Sequence, residues 1–134
     1  MAHSYRQLLV WQKARSLAVA VYRATETFPK SETYGLTSQL RRASVSVASN
    51  IAEGQGRLTK GEFRHFLGQA RGSLLELETQ FDIAFELGYL DGVFYGTLRS
   101  QAYEVLGLLN RLLVSLRVAV PASDAMKPVK LVKP

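Results

Sequence analysis

The 134-residue chain has no cysteine, two histidines, one tryptophan and four prolines. Without cysteine there is no disulfide framework and no thiolate metal site, in keeping with a reducing compartment. The opening MAHSYRQ has no apolar run behind a basic region, so no secretory leader is expected. No stretch of about 18 apolar residues escapes interruption by charge, which excludes an ordinary transmembrane helix. The expectation is a cytoplasmic protein without a membrane partner. Strand-like alternation, internal repeats and a glycine-rich loop following a strand are also missing, and with the last of these goes a phosphate-cradling nucleotide site.

What the chain does contain is heptad spacing. Val10, Ala14, Leu17, Val21, Ala24 and Phe28 step by four and three, the seam of an amphipathic helix over about 7–28 that Pro29 stops. Trp11, Ala18 and Tyr22 widen that stripe on one side. A second helix, about 34–54, buries Leu36, Leu40, Ala43, Val47 and Ile51 after a Ser or Thr cap, and Gly54 and Gly56 end it by supplying positive φ. Thr59 and Glu62 have capping-box spacing, with Leu58 and Phe63 placed as a hydrophobic staple for a third helix over about 60–87. Its seam is Phe63, Leu67, Ala70, Leu74, Leu77, Phe81, Ala84 and Gly88.

Asp91 caps a fourth helix, about 92–119, with Leu90 and Tyr95 as its staple and a seam of Tyr95, Leu98, Ala102, Val105, Leu109, Leu112, Leu116 and Ala119. Leu106, Leu108, Leu113, Val114, Val118 and Val120 fall off that seam. An apolar arc of this width predicts a helix that faces both its own bundle and a second subunit. Short connections between four helices of similar length, each about 38 Å long at 25 residues, imply an all-α, antiparallel up-down-up-down four-helix bundle over 1–120. Residues 121–134 read as a flexible basic tail.

The second helix also carries a polar line, Gln39, Arg42, Ser46, Asn50 and Glu53, beside the small residues Ser44, Ser46, Ala48, Ser49 and Ala52. Small side chains let another helix approach closely. We assign Gln39, Ser46, Asn50 and Glu53, with Leu106 and Leu113, to a subunit interface.

The charge is basic, 17 Lys and Arg against 11 Asp and Glu. Lys127, Lys130 and Lys133 against Asp124 put +2 of the net +6 in the tail, leaving +4 on the bundle. Arg41, Arg42, Arg57, Lys60, Arg64 and Arg71 form the candidate basic patch. Two readings stand side by side: solvated or salt-bridged cations, with Glu53, Glu76 and Glu78 as partners, or contacts to nucleic-acid phosphate.

Catalysis finds little support. Glu62 with His65 is one Glu-x-x-His, whereas a bundle di-iron site needs two such motifs and two further Glu. Glu76 and Glu78, two apart, lie on different faces of their helix. The serines of the second helix have no histidine near them in sequence. No enzyme activity, metal, cofactor or small-molecule substrate is expected.

The run YGLTSQLRRASVSVASNIAEGQGR, preceded by FPKSE and followed by FRHFLGQARGSLLELET, resembles the four-helix-bundle proteins encoded in intervening sequences of bacterial 23S ribosomal RNA genes. The accessory variability determinants of diversity-generating retroelements share that plan. The resemblance covers roughly residues 5–118 and includes Phe28, Pro29, Tyr34, Gly35, Asn50, Gly54, Gly72 and Ser73. It implies a ring-like homopentamer without known enzymatic activity and, for the accessory branch, binding to a reverse transcriptase and nucleic acid. The resulting expectation is an oligomeric scaffold that binds RNA or a ribonucleoprotein partner. The alternative is a protein-protein interaction module whose motif residues serve only assembly.

Overall fold

In the structure, a computed structural model, residues 4–117 are described, and among them lie four α-helices and no strand. They are α1 (Leu9–Ala24), α2 (Leu36–Gln55), α3 (Lys60–Glu86) and α4 (Gly92–Ser115). Short 3-10 turns at Tyr5–Gln7, Thr25–Thr27 and Lys30–Glu32 lead into α1 and link it to α2.

Side-chain bonds between the helices establish an antiparallel square. Arg41 reaches Thr25, Ser46 meets Ser73, Arg71 meets Asn110, and Lys13 pairs with Glu104. Further along, Gly54 lies against Phe63 and Asp82 pairs with Arg99, so position rises on one helix as it falls on its neighbour. The order round the square is therefore α1, α2, α3, α4, and α2 on α3 is the most extensive packing. Among the described residues no helix is long and apolar enough to cross a membrane.

The heptad seams are the core. Val10, Ala14, Leu17, Val21, Ala24 and Phe28 are buried, as are Leu36, Leu40, Ala43, Val47 and Ile51. Leu67 through Ala84 on the α3 seam and Leu98, Ala102, Val105 and Leu109 on α4 join them in one cluster. Each Leu or Val withdrawn from water contributes about 1.5–3 kcal/mol, so the bundle rests on these side chains rather than on helix propensity.

The helix ends show where local chemistry departs from expectation. Thr59 Oγ1 accepts from the Glu62 amide at 3.1 Å, the Thr half of the capping box. Leu58 is 97% exposed at the tip of the α2–α3 turn, so no staple forms there. By contrast Asp91 Oδ1 accepts from the Phe94 amide at 2.8 Å, with Leu90 buried and Tyr95 half-buried against the core. The start of α2 has no Ser or Thr cap. Glu32 Oε1 takes that role instead, accepting from the Leu36 amide at 3.1 Å.

Nor do Gly54 and Gly56 supply positive φ. Gly56 is right-handed at φ −80°, and Gly54 lies within α2. Gly88, with φ 79°, is the residue that turns left-handed, closing α3 as the amide of Tyr89 donates to the Ala84 carbonyl at 2.9 Å. At the other extreme of the chain, α4 stops at Ser115 rather than near 119. Ala119, Val118, Val120 and the tail lie outside the described residues.

Candidate nucleic-acid interface

The polar line of α2 faces α3. Ser46 Oγ and Ser73 Oγ are 2.9 Å apart across the seam, and Asn50 Nδ2 donates to Ser46 O at 2.9 Å and to Ser46 Oγ at 3.0 Å. Four residues further on, Gly54 lets the two helices close. A Cβ there would lie 2.9 Å from Phe63 Cδ1 and 2.9 Å from Phe66 Cβ. The helix that Ser46 and Gly54 admit is thus α3 of the same chain, whereas Ala48, Ser49 and Ala52 border an open groove beside α1. Gln39, Arg42, Ser46, Ser73 and Glu76 line a polar groove of about 340 Å³ along this seam. Glu53, at the end of the line, pairs with Arg57 at 2.7 Å.

The six candidate cations do not share one surface. Consecutive positions on a helix diverge by about 100°, and this separates Arg41 from Arg42. Arg41 turns to α1, where Nε donates to Thr25 Oγ1 at 2.9 Å and the guanidinium stacks 4.6 Å from the Tyr22 ring centre. Arg42 is exposed at the α2–α3 groove. Arg71 spans to α4, donating from Nε to Asn110 Oδ1 at 3.0 Å. Arg57, Lys60 and Arg64 gather at the α2–α3 turn. Arg57 lies 4.6 Å over the Phe66 ring besides its pairing with Glu53, whereas Lys60 and Arg64 are exposed without a carboxylate partner among the described residues.

Leu106 and Leu113 are half-buried against the bundle's own core, as is Leu108. The outward face of α4 carries Tyr103, 78% exposed, and Val114, 65% exposed.

A second group of cations was not singled out from the sequence. Arg6 and Arg15 lie over the Trp11 ring, at 5.6 and 4.9 Å, and Arg15 with Arg23 edges an open groove between α1 and α2. The signal was present in the spacing of Trp11, Arg15, Ala18 and Tyr22, which steps by four, three and four beside the core stripe.

Charge and hydrogen bonding are what these surfaces offer. Glu76 accepts from Gln80 Nε2 at 3.2 Å, and exposed His65 contacts Gln69 at 3.2 Å. Among the described residues no three His, Cys, Asp or Glu side chains gather as a metal site. Two phenols are pushed above their ordinary pKa, both away from the cations. Tyr89 donates to Glu32 Oε2 at 3.1 Å, and Tyr95 donates to Asp82 Oδ1 at 2.6 Å. In each case the hydrogen bond to a carboxylate holds the proton, with desolvation adding to it.

A family model described as 23S rRNA-intervening sequence protein matches residues 6–111. The chain belongs to this family. Within the 23S rRNA-intervening sequence proteins, the matched span takes in Arg41, Arg42, Arg57, Lys60, Arg64 and Arg71, and all of Gln39, Ser46, Asn50, Glu53 and Leu106, but not Leu113. The fold is shared with a protein of unknown function from the S23 ribosomal protein family of Bacteroides thetaiotaomicron VPI-5482, whose crystal structure was determined at 1.70 Å. The two are 19% identical with a TM-score of 0.71, over 78% of this chain and 98% of that one. No curated protein matches the chain.

Proposed function

We propose that this protein is a non-enzymatic, oligomeric helical scaffold that binds RNA through its basic surface. The observation that carries the reading is the α2–α3 turn. There Lys60 and Arg64 stand exposed and unpaired among the described residues, next to Arg57. Cations of this kind contact phosphate and carry affinity without reading sequence. The family's description, which ties it to intervening sequences of 23S rRNA, supports RNA as the acid partner. A reverse transcriptase is the partner implied by the resemblance to the retroelement accessory proteins.

The test is binding of a 23S rRNA fragment across a salt series. Binding should weaken steeply with salt, and Lys60→Glu with Arg64→Glu should weaken it at every salt concentration and flatten the slope. Salt-independent binding, or binding indifferent to both reversals, would refute the reading.

Assembly into a closed homopentamer is the second half of the proposal. Tyr103 and Val114, exposed on the outward face of α4, support a contact with another copy. Light scattering should give a pentamer mass, and Val114→Glu should reduce it. A monomer mass for the unaltered chain would overturn the ring.

A further inference from the structure

We infer that the groove between α1 and α2 binds single-stranded nucleic acid, its bases stacked on aromatic rings and its phosphates held by Arg15 and Arg23. This deepens the RNA reading above and rests on it.

The groove is open and encloses about 670 Å³, with Tyr5, Trp11 and Tyr22 along one wall and Val45, Ala48 and Ala52 of α2 opposite. Trp11 is half-buried and meets Tyr5 edge-on, at 5.0 Å between ring centres and 70° between planes. Tyr22 is 43% exposed. From Trp11 to Tyr22 the helix rises about 16 Å, long enough for roughly two or three nucleotides. The small residues of α2 keep the opposite wall low, leaving the space between the rings free.

Cations alternate with these rings. Arg15 is 4.9 Å from Trp11 and Arg23 lines the groove next to Tyr22, whereas Arg6, 5.6 Å from both Tyr5 and Trp11, stands outside the lining and Arg41, 4.6 Å from Tyr22, is bonded to Thr25. The Arg15 guanidinium, held over the Trp11 ring, keeps its N–H fork free to meet phosphate. Among the described residues Arg6, Arg15 and Arg23 have no ion pair, and Glu26 is the one carboxylate lining the groove.

This charge balance decides the occupant. An apolar protein face would bury Arg15 and Arg23 with Glu26 alone to answer them, leaving one guanidinium without a counter-charge. A phosphodiester strand brings one anion per nucleotide and a π-face for each ring. Duplex RNA brings the anions but hides the faces, so the single strand is favoured.

Trp11 is the chain's sole tryptophan, so its emission reports on this groove alone. The full-length protein is titrated with a 12-nucleotide uridine oligomer, following Trp11 emission and, with a labelled oligomer, anisotropy. Expected are quenching that tracks the anisotropy, weaker quenching by a duplex of equal length, and about tenfold weaker binding for Tyr22→Ala. Arg15→Ala with Arg23→Ala, both exposed and outside the core, should also lower the salt slope by about 1 to 2.

If RNA raises anisotropy without altering Trp11, and the Arg15 and Arg23 variant binds like wild type, this site is refuted while the wider RNA reading stands. If the oligomer and the 23S rRNA fragment both fail to bind at low salt, both readings fall. Emission that shifts with protein concentration and not with RNA would show a second copy in the groove and overturn the proposal.

Discussion

Ser46 and Ser73 face each other across the α2–α3 seam with their hydroxyl oxygens 2.9 Å apart. Neither helix could come so close with larger side chains here, and Asn50 braces the pair by donating to Ser46 Oγ. Ser46→Ala removes a hydrogen bond from a partly buried pair and should cost about 1 kcal/mol. Ser46→Leu puts a branched side chain against Ser73, 2.9 Å from the present hydroxyl, and should cost about 1–3 kcal/mol. Urea unfolding would check both, and a Leu variant as stable as wild type would show the seam to be looser than described.

Gly54 and Gly72 form a matched pair with opposite expected signs. A Cβ at Gly54 would sit 2.9 Å from atoms of Phe63 and Phe66, and one of these, Phe66 Cβ, cannot swing away. Gly54→Ala should therefore destabilise by about 1–2 kcal/mol, even after the gain in helix propensity. At Gly72 there is nothing within 4 Å, and Gly72→Ala should stabilise by about 0.5–1 kcal/mol. The pair is read from denaturant midpoints, provided the slope with denaturant is unchanged.

The seams were legible because burial on a helix repeats every three or four residues, and Leu17, Val47, Leu74 and Val105 needed nothing beyond that period. What the period cannot say is which neighbour lies on either flank of a stripe. Small residues on α2 announced a close approach, yet only the fold shows that α3 makes it at Ser46 while Ala48, Ser49 and Ala52 border a groove beside α1. The same ignorance joined Arg41 to Arg42, although one reaches α1 and the other borders α3. Trp11 and Tyr22 read as a widened core because the sequence does not reveal that α2 opposes them with small side chains and leaves a groove. Leu58 had staple spacing, but a staple needs the chain to fold back on the first turn, and here the residue projects from the tip.

Tyr89 and Tyr95 give the bundle an alkaline limit. Each donates to a carboxylate, and both phenols are held above the ordinary value of 10.0. A pKa raised in the folded state means the unfolded chain loses the proton first. The stabilisation is therefore complete below about pH 10 and is lost as pH rises through the folded-state values. Thermal unfolding at about pH 8 and about pH 11 should show wild type above a Tyr89→Phe, Tyr95→Phe variant by a smaller margin at the higher pH. A gap of equal size at both would remove the two phenols from the explanation.

Arg41 and Arg42 should separate stability from binding. Arg41 bonds Thr25 Oγ1, reaches the Tyr22 carbonyl at 3.4 Å and stacks on the Tyr22 ring, so it ties α2 to the end of α1. Arg41→Ala should cost about 1–2 kcal/mol. Arg41→Lys should recover only part of this, because an ammonium can neither stack flat nor present the guanidinium fork. Arg42 is exposed and has no ion pair among the described residues, so Arg42→Ala should change stability by no more than about 0.5 kcal/mol. Urea midpoints for the three variants check the order, and equal losses at 41 and 42 would contradict the placement of Arg41 against α1. The Ala variant at 42 is thus the cleaner probe of RNA affinity, since a drop in binding there cannot be traced to a loosened α1–α2 pair.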